Sequence, residues 1–379
     1  MFSPFIINDK NLFLDRFPVA QVNRSLQAWD SADEYIVKHI SEQNLVTDNS
    51  RILIFNDAFG AITTNLTQAT LFIVNDSFLS QEGIKHNLEQ NYLDSDKTTL
   101  LNSLDALPKD IDLILYKIPK SKALLTEQLI QIKDNYDEST QFIATDRAKD
   151  IHTATLKLFE KYLGTTKTSL AVKKARLVFS TLDTTQSHQS PFPTKWHLDE
   201  TPFLISNHAN VYAREKLDIG ARYFIQNLPE INANSQVIDL GCGNGVIGLT
   251  VLAKQEQAHV QFFDESHMAI ASAIENITHN LPDALKQCQF HLNDCLSGVE
   301  GGSVDLILCN PPFHQQNATT DHIAWQMFKD SHRVLKKGGE LRIIGNRQLG
   351  YHIKLKRIFG NETLIASNDK FVTISAIKR

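Results

Sequence analysis

The chain has 379 residues, 42% of them hydrophobic and 21% charged, with a formal net charge of −5 and a pI near 6.3. That length exceeds one typical domain and supplies enough apolar residues for two cores, so two domains are expected. The acidic balance excludes a protein that grips nucleic acid over its whole surface, because phosphate contacts need Lys and Arg; any such surface is local.

The first ten residues, 1–10, lack a basic start followed by a sustained apolar core, and no apolar run approaches membrane-spanning length. The expectation is a soluble cytoplasmic protein with no membrane partner. Residues 51–62, 71–78 and 111–120 each read as an apolar strand running into a turn, the second followed by Asn87 and Asn91. Lys167, Lys173, Lys174 and Arg176 form a first basic cluster. Residues 181–194 are polar with two prolines and read as a connection. The expected division is therefore a first domain at 1–185, a linker at 186–200 that ends beside the anchoring candidate Trp196, and a second domain at 201–379.

In the second half, residues 237–248 read as a short strand, a glycine turn and a helix start whose amides point at whatever binds there. Gly241, Gly243 and Gly245 alternate, and Asp239 precedes them. The dinucleotide fingerprint spaces its last glycine differently, so the pattern favours S-adenosylmethionine over NAD. Glycines let the backbone approach a ligand without a Cβ clash. Asp239 is expected to order the loop and to receive the methionine ammonium end. A second strand, 260–263, ends in Asp264 about 20 residues beyond the glycines, where a carboxylate can accept ribose hydroxyls. A third, 290–295, carries Asp294, a candidate acceptor for the adenine amino group.

Next comes the most specific feature. Residues 304–309 read as a strand buried on both faces, leading directly into Asn310-Pro311-Pro312-Phe313. An exocyclic amino group on a planar ring has a delocalised lone pair. Two neutral acceptors, here the Asn310 amide oxygen and the Pro311 carbonyl, can hold its hydrogens and turn that lone pair toward an electrophile. Phe313 offers a face for stacking a base, and His314 is adjacent. Beyond it, residues 324–334 are expected as an amphipathic helix, 336–339 as a turn, 340–345 as a strand ending at Asn346 and Arg347, and 371–377 as a closing strand. Arg347, Lys354, Lys356 and Arg357 form a second basic cluster. Cys242, Cys288, Cys295 and Cys309 show neither metal-ligand nor disulfide spacing, so a reducing compartment and no metal are expected.

With these motifs in order, the second half resembles the class I S-adenosylmethionine-dependent methyltransferases. Residues 210–221 together with Asn310-Pro311-Pro312-Phe313-His314 are more narrowly similar to the two-domain bacterial ribosomal RNA guanine-N2 methyltransferases, and among these to the members acting on large-subunit (23S) RNA. The resemblance covers essentially the whole chain and implies a terminal hairpin in a seven-stranded mixed sheet. It also implies phenylalanine where this chain has Tyr212.

The first half echoes the second at coherent spacings: residues 51–62 match the glycine turn, 71–78 the Asp264 strand, and 111–120 the Asn310 strand. Ile54, Ala58, Asn75, Lys117 and Ile118 replace Asp239, Gly243, Asp264, Asn310 and Pro311. The expected fold is therefore α/β, with two tandem Rossmann-like methyltransferase domains, the N-terminal copy degenerate. That copy is expected to serve as an RNA-binding platform, with Lys117, Lys120 and Lys122 presenting positive charge. The expected activity is methylation of guanine N2 in large-subunit ribosomal RNA by a monomer. Alternatives are small-subunit guanine N2, adenine N6, a protein glutamine amide, or a non-catalytic ribosome-assembly factor.

Overall fold

Continuous apolar runs such as Ile52 to Phe55 and Leu306 to Cys309 are buried along their length, as parallel strands covered on both faces must be. The computed structural model describes residues 4–7, 10–19, 26–183, 185, 187–312 and 318–379. The chain divides into two compact units, Met1–Phe192 and Pro193–Arg379.

In the first unit, β1 (Phe5–Ile7) and β2 (Lys10–Leu12) pair antiparallel. There follow α1 (Ser31–Glu42), β3 (Arg51–Phe55), β4 (Thr70–Val74), α2 (Phe78–Gln90), β5 (Thr98–Leu101), β6 (Leu113–Lys117), α3 (Lys122–Asn135), β7 (Gln141–Arg147), α4 (Thr153–Tyr162), β8 (Thr166–Thr168) and β9 (Ala175–Ser180). Their sheet order is β5-β4-β3-β6-β7-β9-β8. Asp30 starts α1 with a reciprocal capping box, while Ser77 and Ser121 cap α2 and α3 through their side-chain oxygens.

The second unit opens with the antiparallel pair β10 (Thr194–His197) and β11 (Leu204–Asn207). Trp196, within the segment expected to be a linker, lies on β10 and packs against the core of this unit. Then come α5 (Ile219–Gln226), β12 (Gln236–Leu240), α6 (Val246–Lys254), β13 (His259–Asp264), α7 (His267–Asn280), β14 (Cys288–Leu292), β15 (Val304–Cys309), α8 (Ala318–Val334), β16 (Leu335–Asn346), α9 (Tyr351–Phe359), β17 (Thr363–Ser367) and β18 (Phe371–Ile377). The sheet runs β14-β13-β12-β15-β16-β18-β17, a mixed sheet with β18 antiparallel to both neighbours. Counted from the first strand of each sheet, both units follow the order 3-2-1-4-5-7-6.

Residues 336–339, expected as a turn, instead belong to β16. Register jumps from Val304 opposite Leu335 to Leu306 opposite Glu340, so the extra residues bulge from the ladder, and Gly338 takes φ +81° there. The turn chemistry is real, but it serves a bulge within a strand.

In each sheet the strand order reverses beside the first strand. In the second unit this happens between β12 and β15, whose ladder ends with Leu240 opposite Cys309. Ligands of open α/β sheets bind at such a crevice, beyond the carboxyl ends of the strands. The residues that follow Leu240 and Cys309 are Gly241 and Asn310.

Candidate active site

The glycine turn is built around backbone conformations that a side chain would strain. Gly241, Gly243 and Gly245 have φ of +71°, +54° and +75°. Their surroundings differ. A Cβ on Gly245 would come within 2.8 Å of the Ala273 Cβ, and one on Gly248 within 2.2 Å of the Phe262 ring, so these two let α6 pack closely on α7 and β13. A Cβ on Gly243 would meet nothing within 4 Å. That glycine faces open space, where a ligand can lie against the backbone.

Asp239, expected to order the loop, shares that task with Asp264. The Gly248 N–H donates to Asp239 Oδ2 at 2.9 Å, which fastens the first turn of α6. The Gly243 N–H donates to Asp264 Oδ2 at 2.9 Å, so the end of the neighbouring strand β13 holds the tip of the turn. Asp264 Oδ1 also accepts from the Ser266 N–H at 3.0 Å. Burial pushes the Asp239 carboxyl up to about 8; the Gly248 donor opposes this and the nearby Asp264 charge reinforces it.

Asp294 lies two residues past the end of β14, and its carboxyl is raised by burial, against the donor of Gln326 and with a push from Asp330. Gln326 Nε2 donates to Asp294 Oδ1 at 2.9 Å. Acidic groups thus crowd this edge, which favours a ligand that carries positive charge. S-adenosylmethionine, with an ammonium and a sulfonium, has that chemistry.

Asn310 follows β15 at the same edge, and Pro311 behind it is buried. The Asn310 Oδ1 atom is buried and has no hydrogen-bond partner among the described residues. A buried amide oxygen left unsatisfied carries a free-energy penalty of about 1–3 kcal/mol, which a donor supplied by a substrate would remove. Phe313 and His314 lie outside the described residues.

An amide network that the sequence reading did not assign supports the turn from behind. Asn244 Nδ2 donates to Asn207 Oδ1 at 2.8 Å, and Asn276 Nδ2 donates to the carbonyls of Ser206 and Asn244, both at 2.9 Å. The buried Asn207 thereby ties β11 to the glycine turn. Neither Asn207 nor Gln326 carries a local signal, since each meets its partner across more than 30 residues of chain. Tyr212 uses its hydroxyl to donate to Asp218 Oδ1 at 3.0 Å, and Asp218 in turn caps α5 through the Ala221 N–H. The extra oxygen relative to phenylalanine is therefore employed at the helix cap.

At the corresponding edge of the first unit, Lys117 ends β6. Its ammonium pairs with Asp33 Oδ1 at 2.7 Å and Asp30 Oδ1 at 3.2 Å. This corrects the expectation that Lys117 presents charge to a ligand: its charge is consumed by the start of α1. Burial alone would lower the ammonium, but the two carboxylates outweigh it and raise it. Asp57 is buried and accepts from the N–H groups of Gly60, Ile62 and Thr63 and from the Thr63 hydroxyl. These side-chain bonds capture backbone donors, and the turn closes as a 3-10 segment, Thr63–Asn65, rather than as a counterpart of α6. Lys173 is likewise paired, with Glu34 at 2.8 Å.

The sequence matches two family models. Residues 3–184 match the RLMG N-terminal domain, and residues 202–375 match the methyltransferase small domain. Proteins named ribosomal RNA large subunit methyltransferase G are similar along their whole length. The one from Colwellia psychrerythraea is 70% identical, with 100% of each chain covered, and the one from Aeromonas hydrophila is 52% identical over 97% of each. The one from Pseudoalteromonas translucida is 50% identical, covering 98% of this chain and 97% of its own. A solved structure of the T. thermophilus 16S rRNA N2 G1207 methyltransferase (RsmC), in complex with AdoMet and guanosine, aligns with a TM-score of 0.76 over 100% of this chain and 98% of its own. At 16% identity that likeness shows a shared fold.

Proposed function

Because the chain belongs to the ribosomal RNA large subunit methyltransferase G family, we propose that it transfers a methyl group from S-adenosylmethionine to the exocyclic N2 of a guanine in large-subunit (23S) ribosomal RNA. The observation that carries the site assignment is the buried Asn310 Oδ1, without a hydrogen-bond partner among the described residues, at the switch point of the sheet, one residue beyond the last β12–β15 pair.

When bound, S-adenosylmethionine supplies an electrophilic methyl on a sulfonium. Asp239 receives its ammonium end, Asp264 its ribose hydroxyls and Asp294 its adenine amino group, while Gly241, Gly243 and Gly245 allow close backbone approach. Carboxylate oxygens accept more than one hydrogen bond, so Asp264 can hold both the turn and a ribose. Asn310 Oδ1 and the Pro311 carbonyl accept the two N2 hydrogens of the target guanine. Both acceptors are neutral, so they orient the nitrogen lone pair without removing a proton first. Phe313 stacks on the base, which is unpaired or flipped out of its helix. Holding nucleophile and electrophile in line is the main contribution asked of the protein, and the proton leaves N2 after the new bond has formed.

The first unit reads as a degenerate copy of the second. The shared strand order supports this, as do the last ladder positions: Phe55 and Leu240 are 185 positions apart, Val74 and Phe263 189, and Tyr116 and Cys309 193. Without acceptors equivalent to Asp239, Asp264 and Asn310, it serves as an RNA-binding platform. The two domains divide near Phe192, with 194–197 belonging to the second, in a cytoplasmic monomer whose internal repeat already provides a pseudo-dimer.

The test is transfer of labelled methyl to protein-free large- and small-subunit RNA, with nucleoside analysis of the product and Asn310→Ala as control. The expected product is N2-methylguanosine in large-subunit RNA that disappears in the variant. N6-methyladenosine, label in small-subunit RNA or protein, or no Asn310-dependent label on RNA or intact subunits would overturn the assignment.

A further inference from the structure

In a chain of net charge −5, residues 322–359 carry nine Lys or Arg side chains against two carboxylates, Asp330 and Glu340. This span covers most of α8, all of β16 and all of α9. The helices bury one stripe each: Ala324, Met327, Phe328 and Ser331 on α8, and Tyr351, Leu355 and Phe359 on α9. A second stripe of α8, Trp325, Lys329 and His332 at helical spacing, is left beside Arg357 and Ile358 of α9, and together they line a groove of about 310 Å³. The Arg357 guanidinium lies over the Trp325 ring, 5.2 Å from its centroid.

Among the described side chains the nearby acids hold other partners, although Asp330 also feels the Lys329 charge. Asp330 accepts from the Leu296 N–H and pairs with Arg333 at 3.8 Å, and Glu362 pairs with Lys356 at 3.6 Å. Burial and the Lys378 charge lower the His332 imidazole, so the groove's charge comes from Lys329 and Arg357. The groove is also correctly placed. Helix α8 starts at the edge that bears Asn310 and α9 starts there too, after β16, so Trp325 is about 10 Å down α8 from the site edge.

We propose that the α8–α9 groove is a second RNA-binding site, in which Lys329 and Arg357 hold backbone phosphates and Trp325 packs against a base flanking the target nucleotide. An aromatic ring between two cations is the chemistry that tracks a single strand, since every base has a face to stack and every link a phosphate to pair. The choice of RNA as ligand rests on the ribosomal RNA reading; the groove's position and charge do not.

The experiment compares the full chain with Lys329→Gln/Arg357→Gln and with Trp325→Leu, measuring affinity for a protein-free large-subunit RNA fragment across a salt series, together with KM and kcat for methyl transfer. For the double variant the expected result is a roughly ten-fold weaker affinity near 0.15 M salt, with a log–log salt slope shallower by about 1.4–1.8, because each lost phosphate contact removes about 0.7–0.9. KM for RNA rises, while kcat at saturating RNA and S-adenosylmethionine affinity stay at the parent values. Trp325→Leu weakens binding several-fold without changing the slope. Parent-like affinity and slope in the double variant overturn the groove while leaving the methyltransferase reading intact. Absence of RNA binding and methylation by the parent chain would instead sink that reading. If a variant loses S-adenosylmethionine affinity, and with it its fold, 4-thiouridine crosslinking of RNA to the unmodified chain decides: crosslinks within 325–332 or 351–358 support the site, and crosslinks confined elsewhere overturn it. Weakened association with intact subunits but not with naked RNA would mark a protein-docking face and also overturn it.

Discussion

Asn87 and Asn276 make the same three hydrogen bonds in the two halves of the chain. Asn87 Oδ1 accepts from the Asp15 N–H at 2.8 Å, and its Nδ2 donates to the carbonyls of Asp15 and Phe59 at 2.9 and 2.8 Å. Asn276 Oδ1 accepts from the Ser206 N–H at 2.6 Å, and its Nδ2 donates to the carbonyls of Ser206 and Asn244 at 2.9 Å each. In both units a helix amide clips an extended incoming segment to the turn after the first sheet strand. The same three-way clip is present in both units although the turns it holds differ in sequence, because it serves folding rather than chemistry.

The pair therefore separates stability from binding. Each Asn→Ala variant strands buried backbone groups and is expected to lose about 1–3 kcal/mol of stability. Only Asn276→Ala should also weaken S-adenosylmethionine binding, because its partner Asn244 lies within the glycine turn. Urea titration and calorimetric titration of both variants check this; equal losses of cofactor affinity would refute it.

Asn310→Ala should fold normally and bind S-adenosylmethionine with parent affinity, since its Oδ1 has no partner to lose among the described residues. Its kcat should fall about 10²–10³-fold, the scale of removing one preorganised polar contact to a reacting group. Single-turnover methylation at saturating RNA is the measurement. A change confined to KM would assign Asn310 to RNA binding instead.

Asp239 gives the site a pH signature. Its folded-state carboxyl is raised to about 8, above the usual carboxylate range, so the protonated form stabilises the ligand-free fold and that contribution is lost as pH rises through about 8. A cationic ligand prefers the ionised form. S-adenosylmethionine affinity should therefore strengthen from pH 6 to about 8.5 with release of a proton, while the thermal stability of the ligand-free protein declines over the same range. Asp239→Asn should flatten both trends. Calorimetry in buffers of different ionisation enthalpy counts the proton directly.

The glycines offer a contrast within one turn. Gly248→Ala drives a methyl into the Phe262 ring and is expected to cost about 1–3 kcal/mol or more through overpacking. Gly243→Ala meets open space, so its stability cost is limited to backbone strain at φ +54°, while its cofactor affinity should fall steeply. Chemical denaturation paired with ligand titration distinguishes the two, and the reverse pattern would remove Gly243 from the binding surface.

The parts of the site that could be read in sequence are those where a local constraint leaves a local mark. Alternating glycines record positive φ, and an apolar run entering Asn310-Pro311 records a buried strand with a stopped ladder. What could not be read depends on chain segments that meet only after folding. Lys117 looked available because its partners Asp30 and Asp33 lie more than 80 residues earlier. Gln326 meets Asp294 from a helix 32 residues on. The 336–339 turn was recognisable as turn chemistry, but only pairing with β15 and β18 makes it a bulge.

Lys117 also sets the last prediction. Replacing it with Met leaves two carboxylates, one of them the buried Asp33, facing each other without their cation, a change that typically costs about 3–5 kcal/mol. Asp33 is already raised to about 6, first by burial and then by its acidic neighbours, and removing Lys117 raises it further. Below that pKa the carboxyl is protonated and the loss is small; above it the charge must be buried unpaired. Lys117→Met should therefore be strongly destabilised at pH 8 and much less so at pH 5, and Lys117→Met/Asp33→Asn should recover most of the difference. Urea midpoints at the two pH values measure it. Equal destabilisation at both would mean that Lys117 acts through packing, and that the first unit's edge is not held by this ion pair.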